Sequence, residues 1–192
     1  EMDQVLKALD GAEFSVTDVK KGERTKKAPL PFTTSTLQQE ASKVLNFSTS
    51  KTMRLAQQLY EGIDIEGQGT VGIITYLRTD STRISDEAAH MAESYITEQY
   101  GENYLRHGET KKATGKKIQD AHEAIRPTDI SRLPISIKES LSRDQYRLYQ
   151  LIWKRFTASC MADARYNTMA VKIDGGGYRF TVSASSVAFD GF

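Results

Sequence analysis

The stretch from Met169 to Ala184 reads MAVKIDGGGYRFTVSA, in which two runs of alternating apolar and polar residues flank three consecutive glycines. Alternation with a period of two places the apolar side chains of a strand on one face, and glycine readily adopts the backbone conformations of a tight turn. The stretch therefore predicts a β-hairpin. Its apolar positions are Met169, Val171 and Ile173 on the first strand, then Tyr178, Phe180, Val182 and Ala184 on the second.

A further strand signal lies near the amino end, where Phe14, Val16 and Val19 fall in a short, largely alternating stretch. Residues 20–27 follow and read KKGERTKK, five basic residues against one acid, which we interpret as a basic loop. A second basic cluster occupies residues 105–117. Such clusters pair with phosphates in nucleic-acid-binding proteins, although a solvated loop is the commoner meaning of either cluster alone.

The middle of the chain has helical patterns. Ser35 or Thr36 is expected to cap a first helix, and residues 46–50 link it to a second helix that Gly62 ends. Two short helices joined by a tight link resemble a helix-turn-helix, although many αα-hairpins have the same pattern.

Further along, residues 62–72 are glycine-rich and are expected to form a loop, and residues 70–76, TVGIITY, are β-branched and predict a strand. Serines then open three predicted helices, the last of them a long one that runs to Cys160. These capping residues, each with its partner where a capping box is predicted, are Ser85, Ser136 with Glu139, and Ser142 with Gln145.

Together these patterns predict an α+β fold, in which a helical, helix-turn-helix-like domain is inserted into a small antiparallel β domain. Residues 33–163 are assigned to the helical domain, and residues 1–32 with 164–192 to the β domain. Pairing between strands at the two ends would bring the joining points of the insertion close together, which is where insertions are tolerated. The chain opens on Glu1-Met2-Asp3 and runs directly into a helical pattern, so we expect it to be an excised part of a longer protein.

Composition excludes several classes of protein. The 192 residues carry a formal net charge of only +1 and a single cysteine, Cys160. One cysteine forms no internal disulfide and no cysteine-based zinc site, and it suits a reducing cytoplasm. No apolar run reaches about 18 residues, so no membrane span is expected.

The densest group of polar side chains lies in residues 73–85, which read IITYLRTDSTRIS. Hydroxyls and two guanidinium groups crowd one short segment, and such groups bind phosphate well. Each residue also has a structural interpretation when taken alone. Tyr76 would be a packing residue at the end of a strand, Arg78 would form an ion pair with Asp80 or another nearby acid, and His122 would be a satisfied core or surface histidine.

Several motifs in order resemble the type IA DNA topoisomerases. TYLRTDST, residues 75–82, resembles the active-site signature of that family. PFTTSTLQQ, residues 31–39, resembles the segment that precedes the signature, and AHEAIRP, residues 121–127, resembles the family's histidine motif. YQLIW, residues 149–153, matches further downstream. The resemblance covers nearly the whole chain, and several motifs in one order are more specific than a single pattern.

The resemblance implies that Tyr76 is the nucleophile, which would attack a backbone phosphorus of single-stranded DNA. The product would be a 5′-phosphotyrosine ester with a free 3′ hydroxyl, and resealing would need no ATP. The resemblance further implies that Arg78 holds the scissile phosphate and offsets its charge, and that Thr75 and His122 contact the DNA. A phenol is a weak nucleophile at neutral pH unless it is assisted, so such help is chemically necessary.

The resemblance also implies what lies elsewhere in the enzyme. Magnesium would be bound by a Toprim domain that is absent here, so we expect no metal on this chain and no relaxation activity from it alone. Its partners would be single-stranded and negatively supercoiled DNA and the other domains of the same enzyme, in the cytoplasm at the nucleoid. The two domains would form part of the arch that opens the DNA gate. Glu123 and Arg126 would support the site, whereas no motif surrounds His90 or His107.

Two other functions stay open. One is a non-catalytic DNA-binding or interaction module that uses the two short helices and the basic loops, with a structural Tyr76. The other is a β-rich adaptor with no role in nucleic-acid binding. Only the topoisomerase interpretation explains why Tyr76, Arg78 and the distant His122 would be needed at one place.

Overall fold

A computed structural model of the protein describes residues 2–106 and 122–192. The helices and strands, in chain order, are α1 (Met2–Leu9), β1 (Ser15–Lys26), α2 (Thr34–Glu40), a π-helical turn (Ala41–Leu45), α3 (Thr49–Glu61), β2 (Ile63–Ile65), β3 (Gly69–Val71), α4 (Asp86–Tyr100), a 3-10 turn (Glu102–Tyr104), a second 3-10 turn (Pro134–Ser140), α5 (Arg143–Cys160), β4 (Ala164–Gly175) and β5 (Tyr178–Phe189). Helices and antiparallel strands occur together, which confirms the α+β class.

The chain divides into two compact units. The β unit contains residues 1–27 and 163–191, and the helical unit contains residues 28–162. The sequence placed the corresponding divisions at 32/33 and 163/164. The chain leaves β1 at Lys26, and Ala28, Pro31 and Phe32 are already buried, so the helical unit begins before its first helix.

The β unit is a three-stranded antiparallel sheet in the order β1-β4-β5. The predicted hairpin is confirmed as β4 and β5, which extend beyond the predicted stretch and turn at Gly176 and Gly177, both with positive φ. The strands from the two ends of the sequence also pair, because β1 lies against β4 along its whole length.

The prediction of a basic loop at residues 20–27 was wrong. Residues 20–26 belong to β1, where Lys20 pairs with Ala170 and Lys26 with Ala164. Their side chains are exposed, so the charged groups stay hydrated. At the same time the backbone of these residues forms hydrogen bonds to β4. The extended conformation of residues 20–26 therefore results from their pairing with β4, and residue composition alone does not predict that pairing. The second basic cluster lies outside the described residues from 107 onward.

The helix boundaries were predicted with mixed success. Ser85 and Ser142 cap α4 and α5 as expected, and Gln145 completes the capping box of α5. The cap of α2 is Thr33 rather than Ser35 or Thr36. The Thr33 hydroxyl accepts a hydrogen bond from the backbone N–H of Thr36, and the Thr36 hydroxyl accepts one from the backbone N–H of Thr33.

Three further predictions about the helical unit needed correction. The link before α3 ends at Ser48, which caps that helix. Ser136 caps no helix, since it lies inside a 3-10 turn and its hydroxyl donates to the carbonyl of Leu133. The supposed loop at residues 62–72 contains an antiparallel hairpin of β2 and β3, and the predicted strand at 70–76 ends at Val71.

The core of the helical unit surrounds α5. Leu148, Tyr149, Ile152 and Phe156 are buried on one side of this helix, and the Trp153 indole donates to the carbonyl of Ile130 at 2.9 Å. Buried side chains from residues 73–85 join this core, namely Ile73, Ile74 and Leu77. Burial of these three side chains holds the segment around Tyr76 against the core. No helix among the described residues is long and apolar enough to cross a membrane.

Cys160 is the last residue of α5, and the reactivity of its thiol tests how tightly the helical unit is packed. Burial raises the pKa of its thiol, and the neighbouring Ser159 and Arg106 only partly oppose that effect. A higher pKa lowers the fraction of thiolate, the reactive form, at a fixed pH below that pKa. We therefore expect Cys160 to react more slowly with a disulfide reagent in the native protein than in denaturant at the same pH. Equal rates in the two conditions would contradict this packing.

Candidate active site

Three motif segments lie together in the helical unit. We call them the signature segment (residues 73–85), the threonine segment (residues 31–39) and the histidine segment (residues 121–127, described from His122). They are far apart in sequence, and direct hydrogen bonds join each of them to the other two. The structure thus assembles one site from three stretches of chain.

Thr75 joins the signature segment to the histidine segment. Its backbone N–H donates to the carbonyl of Arg126 at 2.9 Å, and its hydroxyl donates to the carbonyl of Ala124 at 2.7 Å. The same hydroxyl accepts from the backbone N–H of Arg126 at 3.0 Å. Thr75 therefore fixes the backbone immediately before Tyr76. The prediction that Thr75 contacts DNA stays a prediction, and its hydroxyl already has a donor and an acceptor within the protein.

Thr34 joins the threonine segment to the signature segment on the other side of Tyr76. Its hydroxyl donates to the carbonyl of Leu77 at 2.7 Å and accepts from the backbone N–H of Thr79 at 2.8 Å. Its backbone N–H donates to the carbonyl of Thr79 at 2.9 Å. Sequence reasoning missed this residue, although its position in the PFTTSTLQQ motif was a usable signal.

The histidine segment is held along both of its edges. On one edge, the N–H of Ile125 donates to the carbonyl of Phe32 at 2.8 Å. On the other edge, Thr75 makes the bonds described above, and the N–H of Ala124 donates to the carbonyl of Arg83 at 2.8 Å. The backbone two and three residues beyond His122 is therefore fixed to both neighbouring segments.

Burial alternates along the signature segment after Thr75. Leu77 and Thr79 are buried, whereas Tyr76, Arg78 and Asp80 are exposed. Alternate residues of an extended chain point to opposite sides. The Tyr76 and Arg78 side chains are thus directed away from the core, and Tyr76 is 46% exposed. Its ring lies edge-on to that of Tyr60, with centroids 5.4 Å apart.

The functional groups of Tyr76 and Arg78 are available to a ligand. No hydrogen bond or ion pair joins the Tyr76 hydroxyl or the Arg78 guanidinium to any residue that the structure describes. The alternative in which Arg78 pairs with Asp80 is therefore not observed. An exposed guanidinium with no partner among the described residues, two residues along the chain from an exposed phenol, suits the binding of a phosphate diester.

The histidines differ in their surroundings. His122 is exposed, two residues before Ala124, and its expected contact with a phosphate stays a prediction. His90 lies on the surface of α4, where it is 3.7 Å from Glu93, an ion pair only when the imidazole is protonated. His107 lies outside the described residues.

The Arg126 side chain forms several hydrogen bonds within the protein. Its guanidinium donates to the Glu123 carboxylate, at 3.0 Å from Nε and 2.6 Å from Nη2. It also donates to the carbonyl of Pro127 at 3.0 Å and to the hydroxyl of Ser85, the cap of α4, at 3.3 Å. Both members of the ion pair are partly buried, with side chains 13% exposed at Arg126 and 20% exposed at Glu123. These contacts are all made within the protein, and the supporting role of Arg126 and Glu123 stays a prediction.

A metal centre is not evident in the described part of the chain. Within residues 2–106 and 122–192, no three histidine, cysteine, aspartate or glutamate side chains are grouped in a way that could hold a metal ion. Asp64 and Glu66, which weakly resemble a metal-binding pair in sequence, lie in β2 and in the turn after it.

The Thr75 hydrogen bonds predict a measurable effect on stability. Replacing Thr75 with valine conserves the shape of the side chain, but leaves the Ala124 carbonyl and the Arg126 N–H without their partner. We expect a loss of about 1–3 kcal/mol in the free energy of unfolding, as measured by urea denaturation. Thr82→Val, at an exposed threonine of the same segment, is the control and should change stability by less than about 0.5 kcal/mol. Equal stabilities for the two variants would contradict the assigned role of Thr75.

Comparisons with known proteins agree on one family. A family model described as DNA topoisomerase matches residues 1–192. The chain is also similar to full-length topoisomerase I from Thermotoga maritima, with 41% sequence identity and a TM-score of 0.87. That similarity covers 100% of this chain and 31% of the other. The chain thus spans about a third of the length of the solved structure that it matches.

Proposed function

Since this chain belongs to the bacterial DNA topoisomerase I family, we propose that it is the part of a type IA enzyme that carries the DNA-cleaving tyrosine, Tyr76. The observation that carries the proposal is the convergence of the three motif segments by hydrogen bonds, with Tyr76 and Arg78 exposed where they meet. The rest of the enzyme would supply the groups that complete the site.

The proposed reaction is a transesterification. The phenol oxygen of Tyr76 attacks a phosphorus of single-stranded DNA, and the bond from that phosphorus to the 3′ oxygen breaks. The phenol loses its proton and the leaving 3′ oxygen gains one, which gives a 5′-phosphotyrosine ester and a free 3′ hydroxyl. One ester replaces another, so the reverse reaction reseals the strand without ATP. Passage of the other strand between the two steps relaxes negative supercoils.

Arg78 would offset the charge that develops on the phosphoryl oxygens. Its guanidinium is exposed, lies two residues from Tyr76 and has no partner among the described residues. A charged donor directed at the position where charge develops lowers the barrier more than it strengthens binding of the ground state. His122 would contact an adjacent phosphate, and Thr75 would contact DNA or act by holding the backbone at Tyr76.

The remaining groups would come from outside this chain. We propose that a Toprim domain binds magnesium, which would offset negative charge at the phosphate, and that this chain alone does not relax DNA. The partners of the assembled enzyme would be single-stranded and negatively supercoiled DNA at the nucleoid in the cytoplasm. The two units of this chain would contribute to the arch that opens the gate.

The alternative of a non-catalytic DNA-binding module with a structural Tyr76 has less support. A structural tyrosine usually buries its ring and satisfies its hydroxyl, as Tyr149 does by donating to the carbonyl of Arg132 at 2.7 Å. Tyr76 does neither, since it is 46% exposed and its hydroxyl has no partner among the described residues.

A complementation assay tests the proposal. The chain is mixed with a separately produced Toprim-containing portion of a matching enzyme, magnesium and an end-labelled single strand, and the products are separated on a denaturing gel. We expect a covalent protein–DNA adduct whose labelled peptide contains Tyr76. If both parts are folded and bound to each other and to DNA, yet no adduct forms, the proposed function is wrong.

A further inference from the structure

Tyr60 is an aromatic residue beside the site that the motifs do not include. It lies in the last turn of α3, and its side chain is 39% exposed. Its ring meets that of Tyr76 at an interplanar angle of 64°, with the centroids 5.4 Å apart. This edge-to-face arrangement is one that aromatic pairs favour, because the positive edge of one ring meets the negative face of the other.

The main chain leaves Tyr76 with little freedom other than its side-chain torsions. On one side, Thr75 is bonded to Ala124 and Arg126, and on the other, the carbonyl of Leu77 accepts the Thr34 hydroxyl. The backbone is therefore fixed before and after the tyrosine. The position of the phenol oxygen then depends on how the two side-chain torsions of Tyr76 are restrained.

Tyr60 is itself held firmly against the signature segment. The N–H of Ile73 donates to the carbonyl of Leu59 at 2.9 Å, which ties the end of α3 to the chain that leads to Tyr76. At Gly72, a Cβ atom would lie only 2.5 Å from the carbonyl oxygen of Tyr60. The absence of a side chain there lets the two backbones approach this closely. The backbone that carries Tyr60 thus lies directly against the chain that leads to Tyr76.

We propose that Tyr60 is a positioning residue that confines the Tyr76 ring to the orientation from which its oxygen attacks DNA. This inference rests on the proposed function of Tyr76. Tyr60 acts through its ring, by contact with the ring of Tyr76, and takes no part in bond making or breaking. Without this contact, the Tyr76 side chain also occupies other conformations. The fraction of molecules in the conformation that attacks DNA is then lower.

The kinetic test compares Tyr60→Leu with Tyr60→Phe in the complementation assay. We expect Tyr60→Leu to lower the single-turnover cleavage rate about two- to tenfold, which is the range that an aromatic pair supplies. DNA affinity should stay at its original value, and the variant should still unfold cooperatively, with a lower unfolding midpoint because the ring contact is lost. Tyr60→Phe keeps the ring and should restore the original rate. Tyr100→Leu, at an exposed tyrosine on α4, is the control for loss of an exposed ring.

The outcomes separate this inference from the proposed function. An unchanged cleavage rate in Tyr60→Leu overturns the inference while leaving Tyr76 as the nucleophile. A fall in rate that follows a fall in DNA affinity also overturns it, because Tyr60 would then be a DNA-binding residue. Absence of the adduct in the unsubstituted protein refutes the proposed function instead.

A spectroscopic test needs no cleavage at all. In the isolated chain, nuclear Overhauser effects should join the ring protons of Tyr60 and Tyr76, and Tyr60→Leu should move the Hα–Hβ coupling constants of Tyr76 towards the averaged values of an unrestrained tyrosine. Tyr100→Leu should leave these couplings unchanged. If the Tyr76 couplings are the same with and without the Tyr60 ring, the positioning role is excluded, whatever the activity.

Discussion

Replacing Tyr76 with phenylalanine is expected to reduce the covalent adduct in the complementation assay to the level of the Toprim-containing portion alone. The variant lacks only the oxygen that forms the bond to phosphorus, so no remaining group can replace it in the same chemistry. The fold should be unaffected, because the Tyr76 hydroxyl bonds to no described residue and the phenylalanine ring still meets Tyr60. Urea denaturation should therefore give an unfolding free energy within about 0.5 kcal/mol of the original.

Tyr100→Phe is the matched control for this prediction. Tyr100 is exposed to a similar degree, at 48%, and lies at the end of α4 outside the three motif segments. Removing its hydroxyl should leave the amount and rate of adduct formation unchanged. Persistence of the adduct in Tyr76→Phe would assign the nucleophile elsewhere, and sequencing the labelled peptide would show whether it is Tyr60.

Replacing Arg78 with alanine is expected to lower the cleavage rate by about 10²–10³-fold, the usual cost of removing one donor that stabilises charge in a transition state. DNA affinity should fall much less, since one phosphate contact is a small part of the binding of a long strand. Arg78→Lys should recover part of the rate, because lysine restores the charge without the planar pair of donors. Stability should be unaffected, as the guanidinium contacts no described partner.

Arg54→Ala is the control for loss of charge. Arg54 is also an exposed arginine, and it lies on α3. Its loss should reduce DNA affinity and cleavage only slightly, and in proportion to one another. Equal effects of Arg54→Ala and Arg78→Ala on the cleavage rate would mean that Arg78 contributes general positive charge rather than transition-state stabilisation.

The elements that sequence predicted well are those governed by neighbouring residues. The β4–β5 hairpin follows from alternation around consecutive glycines, and Ser85, Ser142 with Gln145, and Gly62 act as helix boundaries through bonds within a few residues. Such interactions are present in any context that lets the local structure form. The β1 strand at residues 15–26 was missed in its basic half because its backbone partners lie in β4, well over a hundred residues away.

The residues of the candidate site also fall into two groups, those that the sequence identified and those that only the structure revealed. The sequence identified Tyr76, Arg78, Thr75 and His122 as candidates through their place in ordered motifs, and their roles stay predictions. It did not reveal that Thr34 and Thr75 hold the backbone on either side of Tyr76, nor that Tyr60 meets its ring. Those contacts join residues distant in sequence, and a pattern in one segment contains no information about which other segment it will meet.

The sequence by itself determined the α+β class, the hairpin, most helix boundaries and the family. These depend on local backbone preferences and on residue types in a fixed order. The tertiary structure decided that three separate segments form one site, that β1 is a strand despite its charge, and that Tyr76 and Arg78 face outward while Arg126 and Glu123 turn inward. The physical reason is that burial and backbone hydrogen bonding are satisfied over the whole fold, so the partner of each group is chosen by packing rather than by its neighbours in sequence.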